Sequence, residues 1–80
     1  MYKTFKEIKY GEFFYDCNGD LCVKVKTVNA NEEFFWANEG FNAISFSEDN
    51  YYREWFEENS NEEFKIVTDN TEILGVMMGW

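Results

Sequence analysis

Few side chains in this sequence could do chemistry, and their spacing narrows what that chemistry would be. Cys17 and Cys22 flank Asn-Gly-Asp-Leu. A reactive cysteine needs a lowered pKa, and only Lys24 and Lys26 stand near Cys22 to provide it. The two thiols read as reduced residues of a hairpin, with a disulfide or redox pair as the alternative. Asp16, Asn18 and Asp20 are spaced like the start of an EF-hand loop. Leu21 and Thr27, however, occupy the positions where that loop needs glycine and a bidentate glutamate, so calcium is not expected. Histidine is absent. That removes the imidazole base of nucleophile–His–carboxylate triads and leaves two cysteines short of the four ligands of a structural zinc. The five glycines form no phosphate loop or dinucleotide fingerprint. The expectation is a non-enzymatic protein with no cofactor and no metal.

Carboxylates are the groups present in excess. Residues 1–28 hold five lysines against four carboxylates, residues 29–63 hold ten carboxylates against Arg53, and residues 64–80 hold Lys65 against Asp69 and Glu72. The middle segment therefore accounts for the net charge of −9. Paired carboxylates could serve as the acid and base of a glycosidase, but a chain of 80 residues leaves little room for the cleft. The negative field repels phosphates, and the lysines form no basic stripe, so direct nucleic-acid binding is disfavoured and a basic partner is favoured. The alternative is a solvated acidic face that keeps an aromatic-rich domain in solution. Aromatics crowd the same region: Tyr51, Tyr52, Trp55, Phe56 and Phe64 are interleaved with Glu54, Glu57, Glu58, Glu62 and Glu63.

Eighty residues with 45% hydrophobic content make one domain with one core, spanning residues 1–80. No apolar run approaches the roughly 18 residues of a spanning helix, and the N-terminal stretch lacks a signal-peptide apolar region. A cytoplasmic protein is expected. Thr4 and Glu7 match a capping box, predicting a helical turn over residues 4–9 that Gly11 ends. "EFFYDC" and "LCVKVKTV" are predicted strands joined by a tight Asn18-Gly19 turn. In the second, Leu21, Val23 and Val25 are expected to be buried, with Cys22, Lys24 and Lys26 facing water. "EFFWA" and "NAISF" suggest another pair joined through Asn38-Glu39-Gly40, and "EFKIVT" a further strand. Tyr51, Tyr52, Trp55 and Phe56 fall at i, i+1, i+4 and i+5, predicting an amphipathic helix over about 48–59. Ser47 would cap it, and Glu48 and Asp49 would suit its N-terminal end. Glu54 and Glu58 would repel each other, and Glu57 and Glu58 would sit badly at its negative end. "TEILGVMMGW" reads as a closing strand or as an apolar tail exposing Val76, Met77, Met78 and Trp80. The expected fold is α+β: a small antiparallel sheet, or an SH3-like partly open barrel, with the 48–59 helix packed on it.

Phe5, Ile8, Gly11, Phe13 or Phe14, Val23-Lys24-Val25 and Asn42-Ala43-Ile44 form a pattern that resembles a group of small phage-encoded proteins. The resemblance covers about the first half of the chain and implies a compact, β-rich, SH3-like fold. The acidic aromatic segment lies outside it. In kind, the chain is similar to small acidic phage proteins that inhibit host defence or host nucleic-acid enzymes, including DNA mimics and anti-CRISPR proteins. That similarity implies an inhibitor that presents carboxylates to a basic surface of a host protein, such as a nucleic-acid enzyme or CRISPR effector, within the infected cell. Glu48, Asp49, Tyr51, Tyr52, Glu54, Trp55, Glu57, Glu58, Glu62 and Glu63 are the candidate partner-binding residues. A structural or accessory module using aromatic and C-terminal apolar surface is the rival, and a catalyst using Cys17 or Cys22 a second one. Salt sensitivity separates the first two, and thiol reactivity tests the third.

Overall fold

The computed structural model describes residues 1–29, 40–47 and 50–78. Strand β1 (Tyr2–Thr4) runs into a 3-10 turn (Phe5–Glu7) and is followed by β2 (Phe13–Tyr15), β3 (Leu21–Val28), β4 (Phe41–Ser47), β5 (Asn50–Glu54), β6 (Glu63–Val67) and helix α1 (Asn70–Met77). The strands form one sheet in the order β1-β6-β2-β3-β4-β5, with every pair antiparallel. β2 to β5 follow one another as a meander, and β6 returns to the far side of β2. This is a small antiparallel α+β fold. No helix among the described residues is long and apolar enough to cross a membrane.

Local chemistry sets the connections. The Thr4 backbone N–H and hydroxyl both donate to the Glu7 carboxylate at 2.9 Å, closing the predicted turn. It ends sooner than expected, because Ile8 is already extended. Between β2 and β3, Asp16 accepts from the backbone N–H groups of Asn18 and Asp20, and its carbonyl accepts from Gly19 at 3.1 Å. Gly19 takes φ +80°, which costs a residue without a Cβ least. The hairpin is thus the expected one, with its turn spread over residues 16–20.

The main core cluster lies on one face, while Leu21 and Val67 are buried on the other. Register places Phe14 between Cys22 and Ile66, and Lys24 opposite Ala43, so these side chains share a side of the sheet. Phe5 from the 3-10 turn and Ile8 just after it, with Phe56, close over them. The expected facing of β3 is corrected here. Cys22 is fully buried and Lys24 only 6% exposed, whereas Val23 and Val25 are half-buried; Leu21 and Lys26 are buried and exposed as expected. Alternation within one strand does not say which face the neighbouring strands will cover. Lys24 is tolerated because its ammonium donates to the Phe5 carbonyl at 2.8 Å and lies 4.5 Å from the centre of the Phe5 ring.

The predicted helix over 48–59 is also corrected. Residues 50–54 are strand β5, paired with β4 from Ala43↔Glu54 to Ser47↔Asn50, and the chain is irregular beyond Glu54. Ser47 ends β4 instead of capping a helix, and Glu48 and Asp49 lie outside the described residues. Asn42 supplies the physical reason. Its fully buried amide accepts from the Phe56 N–H and donates to the Phe56 carbonyl, both at 2.8 Å. A helix over 48–59 would need that N–H for its own ladder. "EFFWA", Asn38, Glu39 and Trp80 also lie outside the described residues. The C-terminal segment is helix α1 over 70–77 and not a closing strand; Met77 and Met78 are exposed, as the apolar-tail alternative expected, and Val76 is half-buried. Asp69 caps α1 by accepting from Thr71 and Glu72 N–H groups.

Replacing Asn42 with Ala strands two polar groups of Phe56, and we expect a loss of about 2–4 kcal/mol in urea-unfolding stability. A loss under about 0.5 kcal/mol would contradict the clamp, since such a value is typical of an uninvolved surface site.

Candidate functional site

β5 ends at one edge of the sheet, while β6 enters between β1 and β2 near the other. Residues 55–62 must therefore cross from edge to edge. Phe56 packs against Phe5, Phe14 and Phe64 at centroid distances of 5.2, 5.4 and 5.4 Å, so the crossing runs over the core face as a strap. Its middle turns tightly, with Ser60 N–H donating to the Glu57 carbonyl and Glu62 N–H to the Ser60 hydroxyl.

The structure separates the candidate residues that a helix would have gathered. Tyr51 and Arg53 point to one face of β5, Tyr52 and Glu54 to the other. Tyr51 is 74% exposed, Tyr52 51% and Trp55 50%. Tyr51 sits opposite Phe46, whose ring stacks on Phe13 at 6.4 Å, making an aromatic row on the side away from Phe14 and Phe56. Glu57 and Glu58 are exposed on the strap, Glu62 lies at its end, and exposed Glu63 opens β6 opposite Thr4. The carboxylates thus line an irregular strap and are not a row at helical spacing. Glu54 is half-buried within β5.

Other titratable groups serve the framework. Glu12 is held below the usual carboxylate range, chiefly by the Lys9 backbone N–H and also by Lys3, with which it forms an ion pair at 3.0 Å. Glu7 is lowered by the Thr4 backbone and hydroxyl bonds. Tyr15 donates to Glu72, tying β2 to α1, and that bond raises its pKa. Burial pushes the Cys22 thiol up to about 12, so it is no nucleophile at neutral pH. Cys17 is exposed, and both thiols are free. Among the described residues, no three His, Cys, Asp or Glu side chains are grouped to hold a metal ion.

Sequence reasoning missed three residues that organise this region. Asn42 interrupts an apolar strand, and a polar residue in such a run signals a buried amide with partners to satisfy. Lys24 carried no warning beyond its place in a strand. Asp69, three residues before Glu72, fits a helix-start pattern that the apolar run after it obscured. No protein-family model, curated protein or solved structure matches this chain.

Alkylation at neutral pH should label Cys17 in the folded protein and Cys22 only after denaturation, read by mass spectrometry; rapid native labelling of Cys22 would contradict its burial. Because folding raises the Cys22 pKa, the stability it contributes is present below the unfolded thiol's value of about 8.5 and declines above it. The urea midpoint should therefore fall between about pH 8 and 10 more steeply in the wild type than in Cys22→Ala.

Proposed function

We propose that this protein is a non-enzymatic inhibitor of the phage type, which binds a basic, nucleic-acid-binding surface of a host protein through the strap and the β5 edge. The observation that carries the reading is the exposure of Trp55, Glu57, Glu58, Glu62 and Glu63 on a segment held to the core by Phe56. Exposed carboxylates steer a basic partner, and an exposed aromatic on an anchored backbone gives it a contact that requires little further ordering. Of the positions that carry the phage-protein resemblance, Phe5, Ile8, Phe14, Lys24, Asn42 and Ala43 are buried framework, Phe13, Val23, Val25 and Ile44 are half-buried and Gly11 is exposed. The strap is thus where a function particular to this chain would reside. We also propose an SH3-like, partly open barrel. The order β6-β2-β3-β4-β5, a meander whose first strand is flanked by the last, supports it.

A second reading, an accessory interaction module, is favoured by the exposure of Leu74, Met77 and Met78 on and just after α1. Methionine adapts to irregular apolar contacts. Salt discriminates between the two readings.

Tagged protein should retain a nucleic-acid-binding enzyme from bacterial lysate at about 0.1 M salt and release it at about 0.5 M, where screening is much shorter. Nucleic acid should compete for the retained protein. Changing Glu57, Glu58, Glu62 and Glu63 to Gln should weaken retention at least about tenfold without altering the fold. Salt-independent retention that survives these changes would move the assignment to the apolar module.

A further inference from the structure

The two edges of the sheet differ. At one, β1 is three residues long, and half-buried Lys3 is drawn onto Glu12. Short strands and inward lysines are devices that discourage another chain from pairing. At the other, β5 pairs with β4 through five consecutive residues without a register shift. It has no lysine or proline, and Arg53 lies over the Phe41 ring at 5.9 Å. Among the described residues no strand pairs with its outer side.

We propose that β5 is a docking edge that accepts an extended segment of a basic protein as an added strand. This rests on the basic-partner reading above and specifies how the partner is held. An added strand supplies main-chain hydrogen bonds, and its side chains alternate between the two faces of the sheet. One set meets Tyr52 and Glu54, on the face that the acidic strap crosses, and suits Lys or Arg. The other set lies beside Tyr51 and the Arg53 side chain that covers Phe41, with the Phe46–Phe13 row behind them, and suits apolar residues. The fitting segment therefore alternates cationic and apolar residues. A second copy of this chain is the disfavoured occupant, because each copy carries a net charge of −9.

Amide hydrogen exchange of the full labelled chain, followed by NMR, tests this with an alternating Lys-Val peptide of about ten residues and a Glu-Val control. We expect the Lys-Val peptide to slow exchange of the outward amides of β5 at least about tenfold, with the control inert. Binding that shifts residues 57–63 but leaves β5 exchange unchanged overturns the docking edge while the basic-partner reading stands. No response to the Lys-Val peptide anywhere overturns both. Equal slowing by the Glu-Val peptide, or slowing that grows with protein concentration alone, overturns the basic occupant.

Discussion

Phe56 is the point on which the arrangement depends. Its ring stacks on Phe5 and meets Phe14 and Phe64 edge-on, joining the 3-10 turn, β2 and β6. Its backbone is held from below by the Asn42 amide on β4. Each such ring pair adds roughly 0.5–1.5 kcal/mol beyond the area it buries. One residue therefore fixes where the chain leaves β5, how it crosses the core, and where β6 begins. Without this anchor the acidic residues that follow would have no defined position relative to the sheet.

Lys24 performs a related task at the other side of the core. A lysine so deeply buried is costly unless its ammonium finds partners, and it finds the carbonyl and ring of Phe5, with the Tyr10 ring at 5.7 Å. The same residue's carbonyl accepts from Gly11 N–H at 2.7 Å, and its N–H donates to Glu12. The 3-10 turn and the loop of residues 8–12 that follows it are thereby seated on β3 by polar contacts as well as by Phe5 and Ile8. The framework uses its polar groups inward, and the strap carries its carboxylates outward. The proposed interaction surface rests on that division, with Glu57, Glu58, Glu62 and Glu63 all exposed.

Much of this was legible in the sequence where short-range chemistry dominates. The Thr4–Glu7 turn and the Asn18-Gly19 hairpin depend on neighbours within a few residues, and the strands of "NAISF" and "EFKIVT" are marked by their β-branched and aromatic residues. Residues 50–56 were not legible in the same way. Tyr51, Tyr52, Trp55 and Phe56 fit a helical stripe, yet aromatics favour strands equally well, and the deciding bond comes from Asn42, 14 residues away. The clustering of Glu48–Glu54 and Glu57–Glu63 around these aromatics was visible, but their geometry was not. The repulsion that a helix would have imposed on Glu54, Glu57 and Glu58 was itself a hint against it. Likewise, β3 alternates in sequence, but only pairing with Phe14 and Ala43 decides that Cys22 and Lys24 face the core.

The central claim is that the acidic aromatic segment is an edge strand followed by a strap pinned at Phe56. NMR secondary shifts and cross-strand nuclear Overhauser contacts over residues 41–59 test it most directly. The account predicts strand-type shifts through Asn50–Glu54, contacts between Ser45 and Tyr52 and between Ala43 and Glu54, and close approach of the Phe56 ring to Phe5. Helical shifts running continuously from residue 50 to 59, with those contacts missing, would contradict it.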